Sequence, residues 1–389
     1  MRVLHLLKTA HGATWALRQT TELVKLGYEV HVALPDGPMV ERYQAAGVQT
    51  HILNPSVALA RPWQNISLAR ALRQRVLQIK PDIVHSHFVA TTLLMRAALV
   101  GVDIPRIFHI PGPLHLEHPL YRAIDIRSAS KADFYLASCK WTEHALARFG
   151  VPVQRIGLAY YGVNEQDFAR PSDKVCGIRR AFEDCDMPYV IGMVAWFYGP
   201  KRCLGQTRGL KGHEDLIDAV ALLKDSHPFI RLVIVGGPWA KADRYYENVK
   251  RYAVDKLGKR VLFTGPRSDV PDLYRQFDLA VHPSHSENVG GAVESMYARV
   301  PTLTTNVGGF PDLVVPGETG YMAEAKNPAS LATQIAQAIA DRHTSHEMTQ
   351  RAYDKVSSVM NVANNAQEVA AFYERIFDDR EACDAQTVC

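Results

Sequence analysis

Apolar positions along the chain fall into short compact runs, separated by longer stretches in which they recur at helical spacing. Val3–Leu7, Val30–Leu34, Val48–Ile52, Ile83–His85, Ile107–Ile110 and Phe134–Ala137 are β-branched or aromatic and bounded by Gly, Pro or polar residues, as buried strands are. Between them, Thr14–Leu26 ends at Gly27, Asn65–Ile79 before Pro81 and Trp141–Phe149 at Gly150, each a helical pattern with a stop signal in place. Alternation of strand and helix predicts a parallel sheet covered by helices. Arg155–Tyr161 closes the series as a last short strand, and the stretch from Gly162 to Pro188 reads as an irregular connection containing a basic helix.

The pattern then restarts. Strands are predicted at Tyr189–Val194, Arg231–Val235, Val261–Thr264, Leu279–His282 and Thr302–Thr304, with helices at His213–Leu223, Tyr245–Leu257 and Gly291–Tyr297 before a helical tail. The expectation is an α/β protein of two Rossmann-like, doubly wound domains, residues 1–165 and 166–370, with 371–389 as a helix crossing back to the first domain and a tail. Ligands of such sheets sit beyond the carboxyl ends of the strands, so a cleft is expected where those edges face each other. A length of 389 residues agrees, being too great for one ordinary core.

Composition narrows the class. With 47% hydrophobic and 22% charged residues the chain can fill a core, and it lacks the bias of disordered or fibrous proteins. No apolar run approaches the roughly 18 to 20 residues that span a bilayer. Val3–Leu7 is too short for the core of an export signal, so a soluble cytoplasmic protein is expected. Cys139, Cys176, Cys185, Cys203, Cys383 and Cys389 form no CxxC or Cys/His pair at zinc spacing and are expected as reduced thiols. The net charge of +4 divides unevenly: residues 1–160 hold 18 Lys and Arg against 10 Asp and Glu (+8), and the remainder 26 against 30 (−4). A basic first half suits an anionic partner, whether membrane surface, phosphate-bearing substrate or nucleic acid; an ordinary solvated surface explains it equally well.

The segment richest in chemistry is His282-Pro-Ser-His-Ser-Glu-Asn-Val-Gly-Gly-Ala-Val-Glu-Ser-Met296. A strand ends at His282, a loop carries Glu287, and Gly290-Gly291 opens a helix bearing Glu294, an order that suits a nucleotide diphosphate. Amides at a helix start can hold phosphate, glycine allows close approach, and Glu294 one turn in can reach a ribose diol. Carboxylates beside an anion suggest binding to neutral hydroxyls, although first-turn acids favoured by the helix dipole give the same pattern.

These residues resemble the C-terminal signature of retaining family-4 glycosyltransferases, whose two-domain architecture is called GT-B, and the likeness runs over most of the chain. Pro283-Ser284, Glu287, Gly290, Glu294, Pro301 and Val307-Gly308-Gly309 match its P-S-x-x-E-x-F-G, second Glu, G-x-P-V and G-G-x-x-E elements. One departure is that Glu287 and Glu294 are seven apart where the family has eight, so Ser286 competes with Glu287 for the first position. The resemblance implies transfer of a hexosyl unit from a nucleotide diphosphate sugar to an acceptor hydroxyl with retention, the departing phosphate taking the acceptor's proton, with no metal or other cofactor. It assigns the ribose to Glu294 and the sugar to Glu287 with Asn288, Val289, Gly290 and Gly291. Of the family's basic diphosphate pair, Lys211-Gly212 is kept; Arg208 is the best substitute for the displaced Arg, ahead of Lys201 and Arg202, or is simply part of an exposed basic loop.

In the first domain, Gly12 and Ala13 stand where the family has Gly-Gly, at a turn that admits phosphate or sugar. The resemblance gives His109 a contact with the donor sugar and sets His115, Glu117 and His118 on the acceptor side. Zinc is the rival reading of those residues, at a spacing that fits no common site. His85 and His87 either face the cleft or are core histidines. Tyr160-Tyr161-Gly162-Val163-Asn164 resembles the family's hinge, and Ala371–Ile376 its returning helix. A UDP-linked donor is expected because nothing marks a guanine pocket. The acceptor would be a glycan, a lipid-linked glycan or a small molecule, with peripheral contact at the inner membrane face through the basic half and its helix of Arg70, Arg73, Arg75 and Lys80. Two alternatives from other classes are a nucleotide-sugar epimerase of the same build and a non-catalytic nucleic-acid-binding protein, the latter leaving the Glu294 segment unexplained.

Overall fold

Seven strands form the first sheet of the computed structural model, which describes residues 1–169, 177–202, 205–343 and 345–387. They are β1 (Arg2–Leu6), β2 (Glu29–Leu34), β3 (Gln49–Ile52), β4 (Ile83–Ser86), β5 (Arg106–Ile110), β6 (Asp133–Ala137) and β7 (Ile156–Leu158). All pair in parallel, in the order β3-β2-β1-β4-β5-β6-β7. The second sheet contains β8 (Tyr189–Val194), β9 (Ile230–Val235), β10 (Val261–Gly265), β11 (Leu279–His282), β12 (Thr302–Thr305) and β13 (Tyr321–Ala323), again parallel, in the order β10-β9-β8-β11-β12-β13.

The chain divides into two compact units, Met1–Asn164 with Met360–Cys389, and Glu165–Val359. The final helix, Val362–Thr387, begins before position 371 and contributes Val369, Phe372, Tyr373 and Ile376 to the core of the first unit. Strand side chains alternate between the two faces of each sheet. Tyr189, Ile191 and Met193 of β8 join one core, while Val190 and Val194 meet Tyr274 and Phe277 on the other side. Burial on both faces explains the near-continuous apolar runs of these strands.

Several elements carry no clear periodic signal. Strand β13 and the helices Met39–Ala45, Val89–Ala98 and Pro119–Ser128 fall in stretches left unassigned above. Arg155–Tyr161 yields only β7, because Val153–Arg155 is a 3₁₀ turn. Of the expected basic helix, Arg179–Ala181 is a single 3₁₀ turn, and residues 170–176 lie outside the described residues. Cys139 and Cys185 are thiols outside any disulfide, Cys139 bonding Thr142 Oγ1 at 3.2 Å, while Cys176, Cys203 and Cys389 lie outside the described residues. Among the described residues no helix is long and apolar enough to cross a membrane.

Each sheet reverses its strand order once, between β1 and β4 and between β8 and β11. Loops leaving the carboxyl ends of strands diverge at such a point and leave a crevice for a ligand. The candidate residues of the second unit lie on the loops after β8 and β11 that flank its reversal.

Candidate active site

These two loops are fastened to each other. Gly212 has φ +72°, and a Cβ there would lie 2.0 Å from the Pro283 carbonyl oxygen, so only glycine lets the main chains approach this closely. His285 N donates to Leu210 O at 2.8 Å, and Thr305 Oγ1 at the end of β12 donates to Ser284 O at 2.6 Å. Lys211 Nζ meets Glu287 Oε2 between the loops, with side chains 20% and 14% exposed. Gly212→Ala combines a left-handed backbone with this clash. It should cost roughly 1 to 3 kcal/mol, lowering the thermal midpoint and nucleotide affinity together; an unchanged midpoint would show that the loops are not fixed here.

The Glu287 carboxylate also accepts from Ser284 Oγ at 3.3 Å and from Asn288 N at 3.2 Å. Gly309 N donates to Asn288 O at 2.9 Å, tying the turn to the Gly308-Gly309 motif. Gly290, at φ +41°, gives Glu287 its room: a Cβ there would lie 2.8 Å from Glu287 Cδ. Ser286, its rival in the sequence, is buried at 5% exposure, as is Val289 at 6%. Asn288 Oδ1 is sealed from solvent and has no partner.

Glu294 lies half-buried on the helix Ala292–Tyr297. The buried Tyr274 hydroxyl donates to Glu294 Oε2 and to Gly291 O, both at 3.3 Å. Burial, with the Glu294 charge beside it, raises the Tyr274 phenol well above its ordinary range and keeps it a donor. His282 bonds Ser295 Oγ at 3.1 Å; burial, then the Lys211 charge, lowers its pKa to about 3. His213 behaves likewise, for the same two reasons. Lys211 thus stands among neutral histidines and one close carboxylate, and Tyr274 orients the other.

Arg208 is placed differently from the expectation. Its guanidinium is held between Asp215 Oδ1 and Asp218 Oδ2, the latter at 2.7 Å, both on the helix His213–Leu223. Asp215, 2% exposed, also meets His285 Nε2, while Asp218 takes Lys256 Nζ and Tyr252 OH. With two carboxylates already compensating it, Arg208 acts as a brace for the loop and not as a cation aimed at phosphate. Sequence reading missed Asp215 as the group joined to both site loops; its signal is a carboxylate in the first turn of the helix that follows Lys211-Gly212.

Of the first-unit candidates, His109 and His115 are buried, whereas Gly12 and Glu117 are exposed. Gly12 and Ala13 both adopt left-handed φ, +67° and +54°, and Ala13 does so where the resemblance has glycine. His109 is fully buried: Nε2 bonds Ala159 O at 2.9 Å, and the ring stacks 4.0 Å from Tyr161. This corrects the expected sugar contact, since its ring has no exposed atom. His115 is 9% exposed and bonds Asp125 Oδ2 at 3.1 Å, joining the buried Arg96, Asp133 and Arg106 network that secures the helix Pro119–Ser128. It too serves packing in place of the acceptor. Glu117 is exposed and His118 half-buried.

His5, His85 and His87 are buried beside His109, with nitrogen atoms of the first three within 4.8 Å of one another. Their rings lie at interplanar angles of 15° to 21°, and His5 Nδ1 and His87 Nε2 face each other as a hydrogen-bonded pair, which engages those two nitrogens with each other. Hydrogen bonds fix the tautomers. Tyr161 OH donates to His109 O at 3.2 Å and therefore accepts from His87 Nδ1 at 2.9 Å; His87 Nε2 then accepts from His5 Nδ1, also at 2.9 Å. Such a chain requires neutral rings.

Comparison with known proteins agrees with the fold of two α/β units. Residues 203–355 match the family described as glycosyl transferases group 1, and residues 12–167 match glycosyltransferase family 4. A D-inositol 3-phosphate glycosyltransferase of Corynebacterium glutamicum is 31% identical over 186 residues, 45% of this chain and 43% of the relative. The protein of the same name from Corynebacterium efficiens is 26% identical over 395 residues, covering 92% and 89%. In the first curated relatives the matched stretch spans 43%, 58% and 51% of their length, about half. The crystal structure of Anabaena HepE in complex with UDP superposes with a TM-score of 0.77 at 20% identity, over 95% of this chain and 99% of that one, a likeness of fold. With two α/β units of parallel strands, each matched by a glycosyltransferase domain, the chain belongs to the family-4 glycosyltransferases of GT-B fold.

Proposed function

We propose that the protein transfers a hexosyl unit from a nucleotide diphosphate sugar, UDP-linked, to an acceptor hydroxyl with retention, in polysaccharide or glycoconjugate biosynthesis. The observation that carries this is the meeting of Lys211 and Glu287 where the second sheet reverses its order, with Glu294 held by Tyr274 on the next helix. Lys211 would offset charge on the departing diphosphate, Glu287 and the 288–291 turn would hold sugar hydroxyls, and Glu294 the ribose diol. The phosphate itself would take the acceptor's proton. A panel of nucleotide sugars read by thermal shift tests the donor: a UDP-sugar should raise the midpoint most, and no rise with any of them would contradict the reading. Epimer formation from UDP-GlcNAc alone would favour an epimerase instead.

We further propose that the first unit works peripherally at the cytoplasmic face of a membrane, on a lipid-linked or other anionic acceptor. From residue 42 to 81 there are six Lys and Arg and no carboxylate. Trp63, Ile66 and Leu77 are 70%, 62% and 50% exposed on the helical face opposite the buried Leu72 and Val76, with exposed Arg61, Arg70 and Lys80 among them. Arg73 caps the carbonyls of Ala98 and Val100, and Arg75 bonds His51, so those two serve the fold. Vesicles containing anionic lipid should bind the protein at low salt and release it at high salt. Trp63→Ser with Ile66→Ser should weaken binding about tenfold or more; binding that ignores lipid charge and both substitutions would contradict the proposal.

A further inference from the structure

Three aromatic rings follow the carboxyl ends of β8 and β9, and one of them, Tyr198, neighbours Lys211. Trp196 and Trp239 are 43% and 46% exposed, with centroids 5.6 Å apart at 67°, and Tyr198 lies 5.8 Å from Trp239. Lys211 Nζ is 5.9 Å from the centroid of the Tyr198 ring. The main chain carrying them is locked. Phe197, between the exposed rings in sequence, is fully buried and stacks on His213 at 3.8 Å. It pairs with Pro238 as a β-bridge, Phe197 N donating to Gly237 O at 2.9 Å and Trp239 N to Phe197 O at 3.1 Å. Gly236 N donates to Gly265 O at 3.0 Å, and a Cβ on Gly236 would lie 2.0 Å from Ala195 O, so the loops after β8, β9 and β10 are packed main chain to main chain.

Holding two indoles half in water on so fixed a support gains little for folding. Ordered aromatic faces next to a cation suit a ligand that carries both a phosphate and a flat ring. We infer that Trp196, Tyr198 and Trp239 form a platform for a ring face of the donor, either its base or its hexose, continuing from the diphosphate site at Lys211. The inference rests on the donor reading above and adds residues to it. Stacking tolerates any base, and the C–H face of a pyranose meets an indole by the same apolar contact.

Calorimetric titration of pyrophosphate, UDP and UDP-glucose into the wild type, Trp196→Ala and Trp239→Ala tests it, with Trp196→Phe and Trp239→Phe as variants that keep a ring. Pyrophosphate affinity should not change in any variant. A loss of about 10- to 100-fold for UDP in the Ala variants assigns the platform to the base. A loss confined to UDP-glucose assigns it to the hexose, and in either case the Phe variants should retain most of the affinity. Undiminished affinity for all three ligands in both Ala variants overturns the platform alone, and an equal loss for pyrophosphate overturns it in favour of loop damage. A wild type that binds none of the three overturns the donor reading and the platform with it.

Discussion

Lys211→Ala should lower the rate of sugar transfer by about two to three orders of magnitude while leaving the fold intact. Leaving-group charge develops at the diphosphate as the sugar bond breaks, and a fixed cation favours the transition state over the ground state. Lys211 is held against Glu287 at the β8/β11 reversal, whereas Arg208 is taken up by Asp215 and Asp218. Removing it also leaves Glu287 without its counter-charge, so sugar binding should weaken as well. The fold is expected to survive, because the loops remain joined through Gly212 against Pro283 and through His285 N to Leu210 O. Lys211→Arg should recover part of the rate. An Ala variant within threefold of wild type would remove Lys211 from the mechanism.

Acidification should destabilise the first unit more steeply than the second. Burial lowers His5 and His109 to about 3, and burial with mutual repulsion lowers His85 and His87 well below the ordinary value. In the unfolded chain each titrates near 6.5. Between about pH 6.5 and pH 3 the unfolded chain therefore binds protons that the folded chain refuses, and stability falls as pH falls, being complete above about 6.5. Each such histidine accounts for a loss of up to about 1.4 kcal/mol per pH unit inside that window. Among the described residues the second unit has His213 and His282 in the same condition, and the first unit adds His51, which burial lowers to about 4, making two against five. Denaturant midpoints from pH 7 to 4.5 should fall steeply, and His5→Leu with His85→Phe should flatten the dependence. A wild-type midpoint that is level over this range would contradict a neutral stack.

Strand and helix order was readable because it is written locally. Burial on both faces of β1, β4, β5, β8, β9 and β11 demands apolar runs, and the chain shows them. Strand β13 is three residues beside Gly320, too short to set a period, and the helix Val89–Ala98 is apolar on several sides, so it gives no clear stripe. That Glu287 and Glu294 follow one strand end was legible because glycines and the strand pattern fix their positions along the chain, and Lys211, which the structure brings against Glu287, was singled out by the resemblance. Arg208, His109 and His115 were not legible. Their roles depend on Asp218, Ala159 and Asp125, partners brought near only by folding, and a charge or ring reads the same in sequence whether it is aimed at a substrate or already satisfied. Trp196 and Trp239 were invisible for a related reason: exposure on a locked loop is a property of tertiary structure.

Hydrogen exchange of the 389-residue chain with and without a saturating UDP-sugar tests most directly whether the donor sits on the loops after β8 and β11. Protection should concentrate in residues 209–213 and 283–294, and Lys211→Ala should abolish it. Saturable binding that leaves both segments unprotected would contradict the account.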